Sequence, residues 1–484
     1  MYRRLLDLPI LCLASLVLAA AAQVQTAMQT QVNENGQAKV TGIAPLQGKD
    51  AGATAITKPG STYATIANDL IAKNHFLFND GTDGWAAGPS YLRHGMYGAD
   101  TILTMLASPD HFTAPQFLNL VNKFIAAKAT GDKSSKIGGN LQPGDFPETV
   151  KQNGTAEQYC SGDDRYCHYA TGDGRIAVPL ALYLYWQRTG DLTPYTANIA
   201  AISTALAIPP RNSSNDLITI VAGQEHIPGI GFLEEMRPLG DVADANVWYA
   251  WDCKALAAMA TAADDSANAA FFNSEYKKVV AGLESALTDP KSKMLWFANG
   301  SQMRQIDIAD STLAITPLLG RSAGELLTSA HVRAISKWLN RNYSSIVNAE
   351  GYVKLVNSCD TIGGISAGGR APYFNDGSAT GYQCGYWATF GGYFAYALAQ
   401  TNPHKASIYL ETYLSGILPT TEYYNQGSNT PKGDAALLTA GQSVRWASED
   451  LGCHTPKDGV PSGHWSPSAL PLMLASADCR KFPR

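Results

Sequence analysis

From Ser61 onward, apolar residues recur at the three-to-four-residue spacing of helices with one buried face, in one segment after another. The spacing predicts helices over Tyr63–Phe76, Tyr91–Ala107 and Pro115–Lys128. Further helices follow over Gly174–Gln187, Pro194–Ala207, Ala243–Ala263, Ala269–Leu287, Asp307–Leu318 and Gly324–Asn340. Gly381–Gln400, Pro403–Leu414 and Ala435–Ser448 complete the series. Gly190-Asp191 and Asn402-Pro403 are breaks of the kind that join two helices into a hairpin. Only Ile218–Ala222 and Tyr352–Val356 read as strands. About a dozen helices in antiparallel pairs over roughly 420 residues is the arithmetic of a closed ring of helical hairpins. The predicted fold is therefore all-α: an (α/α)6 barrel with minor β-hairpins in its loops. A helical solenoid would show a fixed repeat period, and none is visible.

The N-terminus has a different texture. Met1-Tyr2-Arg3-Arg4 is followed by an apolar stretch from Leu5 to Ala22, interrupted by Asp7 and Pro9 and ending in Ala20-Ala21-Ala22. A basic start, a short apolar run and small residues at its end describe a secretory signal peptide. The uninterrupted apolar part falls below the roughly 20 residues that span a bilayer. Residues 23–60 are rich in Gln, Ala, Thr and Gly and read as a flexible linker. The expected organisation is a signal peptide (1–22), a linker (23–60) and one barrel domain (61–484), in a protein that is secreted or periplasmic.

Export bears on the cysteines, because disulfides persist outside the cytoplasm. Seven remain after residue 22, an odd number that leaves at least one unpaired within the chain. Cys160 and Cys167 close a short loop and read as a pair; Cys359 with Cys384 and Cys453 with Cys479 are further candidates. Cys253 sits inside a helical pattern and reads as a buried free thiol. Only Cys160, Cys167 and His168 approach a zinc-binding cluster, and no metal or cofactor is expected. Glycosylation sequons occur at Asn153, Asn212, Asn299 and Asn342.

Composition narrows the function. At 45% hydrophobic residues the chain can bury a large core. It carries 16% charged residues, a net charge of −5 and no long Lys/Arg run, so nucleic acid is not an expected partner. Nor is a membrane, once the signal has been removed. Oligomeric state is not legible.

Chemistry-bearing residues gather between the helices. Asn79 to Trp85 resembles part of a calcium loop, but Gly84 stands at the third ligand position and no Glu closes it. Arg93, at the start of an apolar helix, is either a sugar-hydroxyl donor or a buried structural arginine. Gly144-Asp145-Phe146-Pro147-Glu148 reads as a solvated turn. Glu234 and Glu235 follow an apolar run and precede a helix carrying Asn246, Trp248, Tyr249, Trp251 and Asp252; such surroundings raise a carboxyl pKa for general-acid work. Tyr382-Gln383-Cys384-Gly385-Tyr386-Trp387 reads as a sugar-lined pocket or a tightly packed inner helix. Glu422-Tyr423-Tyr424-Asn425 precedes Gly433 and Trp446. Aromatic planes stack on sugar faces, carboxylates and amides bind hydroxyls, and two separated carboxylates can divide acid and base roles. Together these residues point to a carbohydrate substrate.

At these residues the chain resembles the six-hairpin glycosidases, which include glucoamylases, trehalases and processing α-glucosidase I. Phe232-Leu233-Glu234-Glu235-Met236 resembles a glucoamylase stretch in which Trp-Glu-Glu carries the general acid, with Leu233 in place of the Trp. Asp244 to Ala260 resembles the helix that follows the acid in the glucosidase I group. Tyr382-Gln383 to Trp387 is similar to a pocket-lining Tyr-Gln-x-Gly-x-Trp pattern, and Glu422 to Trp446 is similar to the Glu-x-Tyr-Asn…Gly…Trp pattern whose Glu is the general base. Many members have Arg-Asp where this chain has Arg93-His94. The resemblance implies a glycoside hydrolase in which Glu234 is the acid, Glu422 the base and Glu235 a supporting carboxylate. Inversion is the implied outcome, with exo attack on an oligo- or polysaccharide. Trp85, Trp248, Trp387 and Trp446 would be sugar platforms, with Arg93, Tyr382, Gln383 and Tyr424 as further contacts. Two other classes stay open: a polysaccharide lyase built on His168, Tyr169 and Arg175, and a non-catalytic carbohydrate-binding protein.

Overall fold

Two kinds of helix alternate along the chain, and the difference fixes where each one sits. In a computed structural model, the described residues are 75–85, 95–107, 109–130, 143–156, 172–220, 240–300, 304–347, 351, 353–357 and 390–413, with the backbone of strand residues 31–32, 38–39, 133–134, 140–141 and 386–387. The first kind is α1 (Gly98–Ala107), α3 (Asp173–Thr189), α5 (Ala243–Ala262), α7 (Ile308–Ala314) and α9 (Gly391–Ala399). These helices are apolar around most of their circumference, as helices enclosed on all sides must be. The second kind is α2 (Ala114–Ala126), α4 (Thr193–Leu206), α6 (Ser266–Ala286), α8 (Ser329–Ile346) and α10 (403–413). Each buries one stripe and leaves the other to solvent; in α2 the stripe is Phe117, Leu120, Val121 and Phe124.

The enclosed helices form an inner ring, with α1 against α3, α3 against α5, α5 against α7 and α7 against α9. The Tyr393 hydroxyl of α9 donates to the Leu103 carbonyl of α1 at 3.3 Å and brings the ends of the series together. The amphipathic helices pack outside. The result is a toroid of helical hairpins, five of which lie within the described residues. Its core includes Trp248, Trp251, Tyr393, Tyr409 and Tyr413, all fully buried. Burial of a large apolar side chain stabilises by about 1.5–3 kcal/mol.

Short strand pairs stand at the entrances to the inner helices. Gly95–Tyr97 pairs with Thr149–Lys151 and runs into α1. Gly240–Asp241 pairs with Thr219–Ile220 and runs into α5. Ile306–Asp307 pairs with Leu295–Trp296 and runs into α7, and Tyr386–Trp387 pairs with Val353–Lys354 ahead of α9. The two predicted strands are among these pairs. Inner helices approach one another most closely through glycine. A Cβ on Gly98 would lie 2.5 Å from the backbone of Asp173, and one on Gly174 would lie 2.4 Å from the Pro147 carbonyl oxygen. Any larger residue would force the first turns of α1 and α3 apart.

Several predicted boundaries move. His75–Leu77 is a strand paired with Asp83–Trp85, not a helix end; residues 63–74 lie outside the described residues. α7 stops at Ala314 because Pro317 disfavours helical backbone at the residue before it. α9 begins at Gly391, since Tyr386–Trp387 is drawn into a strand pair. Within 23–60, Gln31–Val32 pairs with Ala38–Lys39. The signal segment and the helix predicted at Ala435–Ser448 lie outside the described residues. Cys253 is a buried free thiol, and burial pushes its pKa up; the six other cysteines after residue 22 lie outside the described residues. No helix among the described residues is long and apolar enough to cross a membrane.

Candidate active site

Four inner helices carry an aspartate in their first turn: Asp100 in α1, Asp173 in α3, Asp244 in α5 and Asp310 in α7. All four are buried. A helix N-terminus presents unpaired N–H groups and the positive end of its dipole, so a carboxylate is placed there at low local cost. Asp307, the N-cap of α7, accepts from the Asp310 N–H at 2.8 Å. Between strand and helix, Asp241-Val242-Ala243-Asp244 and Asp307-Ile308-Ala309-Asp310 repeat one pattern, and Tyr97-Gly98-Ala99-Asp100 shares its Ala-Asp. One end of the inner ring is therefore lined with carboxyl groups. Sequence reasoning missed them because it followed glutamates in loops; the repeated Asp-(Val/Ile)-Ala-Asp after a strand-like residue is the signal that finds them.

Asp244, Asp307 and Asp310 act on one another. Burial pushes each carboxyl well above the usual range, and the neighbouring charge adds to it: Asp307 beside Asp244, Asp244 beside Asp310, and Asp310 beside Asp307. Asp173 raises Asp244 further. One oxygen of each of the three, Oδ2, has no hydrogen-bond partner. Carboxyl groups held in this way hold a proton more tightly than an exposed aspartate does. Among the described residues no group of three or more His, Cys, Asp or Glu is arranged to hold a metal.

The same shifts set a stability prediction. The folded state holds these protons more tightly than the unfolded chain, where Asp titrates near about 3.9. The cluster is thus tolerated best below that pH and costs stability as pH rises above it. Asp310→Asn removes one of the coupled carboxyl groups and is expected to raise unfolding free energy at pH 7 by about 1–3 kcal/mol, one to two pH units of proton linkage at about 1.4 kcal/mol each. It should have no such effect near pH 3. Urea melts at the two pH values check this.

Asp241 is the counter-case. It is wholly buried, and its carboxylate accepts from Asn212 Nδ2 at 2.9 and 3.1 Å and from Asn215 Nδ2 and Asn299 Nδ2, each at 2.6 Å. Its own N–H donates to Asn299 Oδ1 at 2.9 Å. Amide donors satisfy this charge, and the network ties the 212–215 loop and Asn299 to the entrance of α5.

Asp145 and Arg175 form a second satisfied group. Arg175 Nε and Nη2 donate to the two oxygens of Asp145, both at 2.7 Å, and both residues are buried. The reading of Gly144–Glu148 as a solvated turn is overturned: an arginine in the first turn of α3 draws the loop into the core. Beside this pair is a small cleft walled by Ile176, Ile218, Tyr249 and Asp252. Burial raises the Asp252 carboxyl, and its Oδ1 has no partner.

The residues singled out from sequence are distributed unevenly. Trp85 is 4% exposed; its ring meets Phe112 edge-on at 5.0 Å and lies 5.5 Å from His75. Trp248 is 0% exposed. Both are packed as core side chains. The calcium-like stretch is a hairpin in which Asp83 accepts from Gln116 at 2.9 Å and bonds His75 at 2.7 Å. Trp387 belongs to a strand, described by its backbone alone. Arg93, Glu234, Glu235, Tyr382, Gln383, Glu422, Tyr424 and Trp446 lie outside the described residues, as do His168 and Tyr169.

No family model and no curated protein matches the sequence. Among solved structures, the chain is similar to a rhamnosidase from Klebsiella oxytoca with rhamnose bound, at 12% identity and a TM-score of 0.50, over 88% of this chain and 65% of that one. It therefore spans less than two thirds of that rhamnosidase. A glycosidase is similar at 14% identity and a TM-score of 0.49, over 86% of this chain and 95% of its own. A cellobiose 2-epimerase from Bacillus thermoamylovorans is similar at 10% identity and a TM-score of 0.46, over 86% and 98%. At such identities the likeness is one of architecture: the chain has the all-α toroid of the (α/α)6 barrels.

Proposed function

We propose that this protein is an exported glycoside hydrolase of the six-hairpin kind that cleaves oligo- or polysaccharide by inversion, with Glu234 as general acid and Glu422 as general base. What supports this reading is the end of the toroid at which the described residues flanking the two glutamate-bearing segments lie. Ile220 and Gly240, which bracket the segment containing Glu234, are paired with each other at the first turn of α5. Tyr413, the last described residue of α10, has its ring 2.3 Å from where a Cβ of Gly391 would be, and Gly391 is the first residue of α9. Ile220, Gly240 and Tyr413 thus lie at the end lined by Asp100, Asp173, Asp244 and Asp310. Gly95 and Tyr386, the strand residues that follow Arg93 and Gln383 in the chain, stand at the entrances to α1 and α9 at the same end. The fold is also one in which a rhamnosidase holds rhamnose.

In the proposed reaction Glu234 protonates the glycosidic oxygen while Glu422 takes a proton from a water on the opposite face of the ring. That geometry needs carboxyl groups roughly 6.5–9.5 Å apart. Apolar surroundings would keep Glu234 protonated, and Glu422 would stay ionised. Sugar stacking falls to Trp387 and Trp446, since Trp85 and Trp248 have no open face. Glu235 and Tyr424 complete the contacts. The lyase reading loses its cation, because Arg175 is committed to Asp145. Proton NMR of the first product formed tests the mechanism: the anomer opposite to that of the substrate is expected, and the same anomer would overturn inversion.

A further inference from the structure

The four sequons differ sharply in what their amides do. Asn212 donates its Nδ2 to both oxygens of the buried Asp241, and Asn299 donates its Nδ2 to the same carboxylate at 2.6 Å. A glycan on either nitrogen would replace one N–H, remove a donor from a buried charge and have to occupy the core beside Asp241. Asn342 Nδ2 donates to the Trp338 carbonyl at 2.9 Å, one turn back in α8. Asn153 alone has its oxygen engaged and its nitrogen uncommitted. It is exposed in the turn that follows Thr149–Lys151, and its Oδ1 accepts from the Thr155 hydroxyl at 2.7 Å and the Thr155 N–H at 3.1 Å. The turn depends on Gly154 at φ +83°, and no atom lies within 4 Å of where its Cβ would be. Asn153 is thus exposed on a turn whose Gly154 side is open, with its oxygen held by Thr155.

We infer that Asn153 is an N-glycan attachment site of the folded protein, and that the sequons at Asn212 and Asn299 are structural amides that stay unmodified. The donor would be a lipid-diphosphate-linked oligosaccharide. The amide nitrogen of Asn153 bonds to the sugar C1, the C1–oxygen bond to the diphosphate breaks, the lipid diphosphate departs, and the amide gives up one proton. The glycan would hang from a surface turn and perturb no buried group. This inference is independent of the glycosidase reading.

The test is secretion of the full chain from a glycosylating yeast, release of N-glycans in 18O-water, and mass spectrometry of the tagged peptides from the folded monomer. The 18O tag is expected at Asn153 and absent at Asn212 and Asn299. An untagged Asn153, or a tag at Asn212 or Asn299, would overturn the inference. Variants give an independent readout. Asn153→Gln should abolish the tag at that site with an unchanged melting temperature, whereas Asn212→Gln and Asn299→Gln should each lower the melting temperature by several degrees. Equal melting temperatures for all three variants would contradict the structural role assigned to the Asp241 amides.

Discussion

Glu422→Gln is expected to lower turnover on any productive glycan by about 10²–10⁴-fold, the range for losing a positioned general base. Glu234→Gln should cost as much on natural glycans but much less on an aryl glycoside, whose leaving group departs without protonation. The contrast separates the two roles: only loss of the base is indifferent to the leaving group. Binding of substrate should change little in either variant, because the amide keeps the shape of the carboxyl. Steady-state rates on one natural and one aryl substrate decide the matter. Equal losses for both variants on both substrates would contradict the division of labour.

Arg175→Ala is expected to be the most destabilising single change in the described core, at about 3–5 kcal/mol, because it leaves Asp145 charged and buried without its partner. The loss should propagate. The Asp145 carbonyl accepts from Ala129 N–H at 2.8 Å, and Asp145 Oδ1 from the Phe146 N–H at 2.9 Å, so the whole 143–148 loop rests on this pair. Replacing both partners with apolar residues of similar volume, as in Asp145→Leu with Arg175→Met, should recover most of the loss. Urea unfolding of the single and double variants measures it. A single variant as stable as wild type would show that the pair is dispensable.

The ring of hairpins was legible because apolar spacing and the breaks between segments count out about a dozen paired helices; the contrast between inner and outer helices is plain only once the fold is known. α2 and α8 show one clean stripe, and the long α5 segment, Trp248 and Trp251 included, is apolar almost all round. The site was less legible for two physical reasons. A tryptophan beside polar residues looks alike whether it faces sugar or core, and Trp85 and Trp248 are core. Buried aspartates look like surface charge until the fold encloses them. Asp244 and Asp310 sit in helix first turns and Asp307 at an N-cap, where acidic residues are common on any surface helix, and only the convergence of α5 and α7 makes them a cluster. Likewise Asp145 reads as a turn residue because its partner, Arg175, is 30 positions away. Gly391 marks the close seat of α9 on Tyr413, whose ring would meet any Cβ placed there.

Hydrolysis of glycosidic bonds by this toroid is open to direct assay. The most direct measurement is reducing-sugar release by the purified protein from a panel of α- and β-linked glycans, with Glu422→Gln alongside. Release from at least one glycan by the wild type is expected, with loss by orders of magnitude in the variant. Products absorbing in the ultraviolet, with Glu422→Gln unaffected, or no release from any member of the panel, would contradict it.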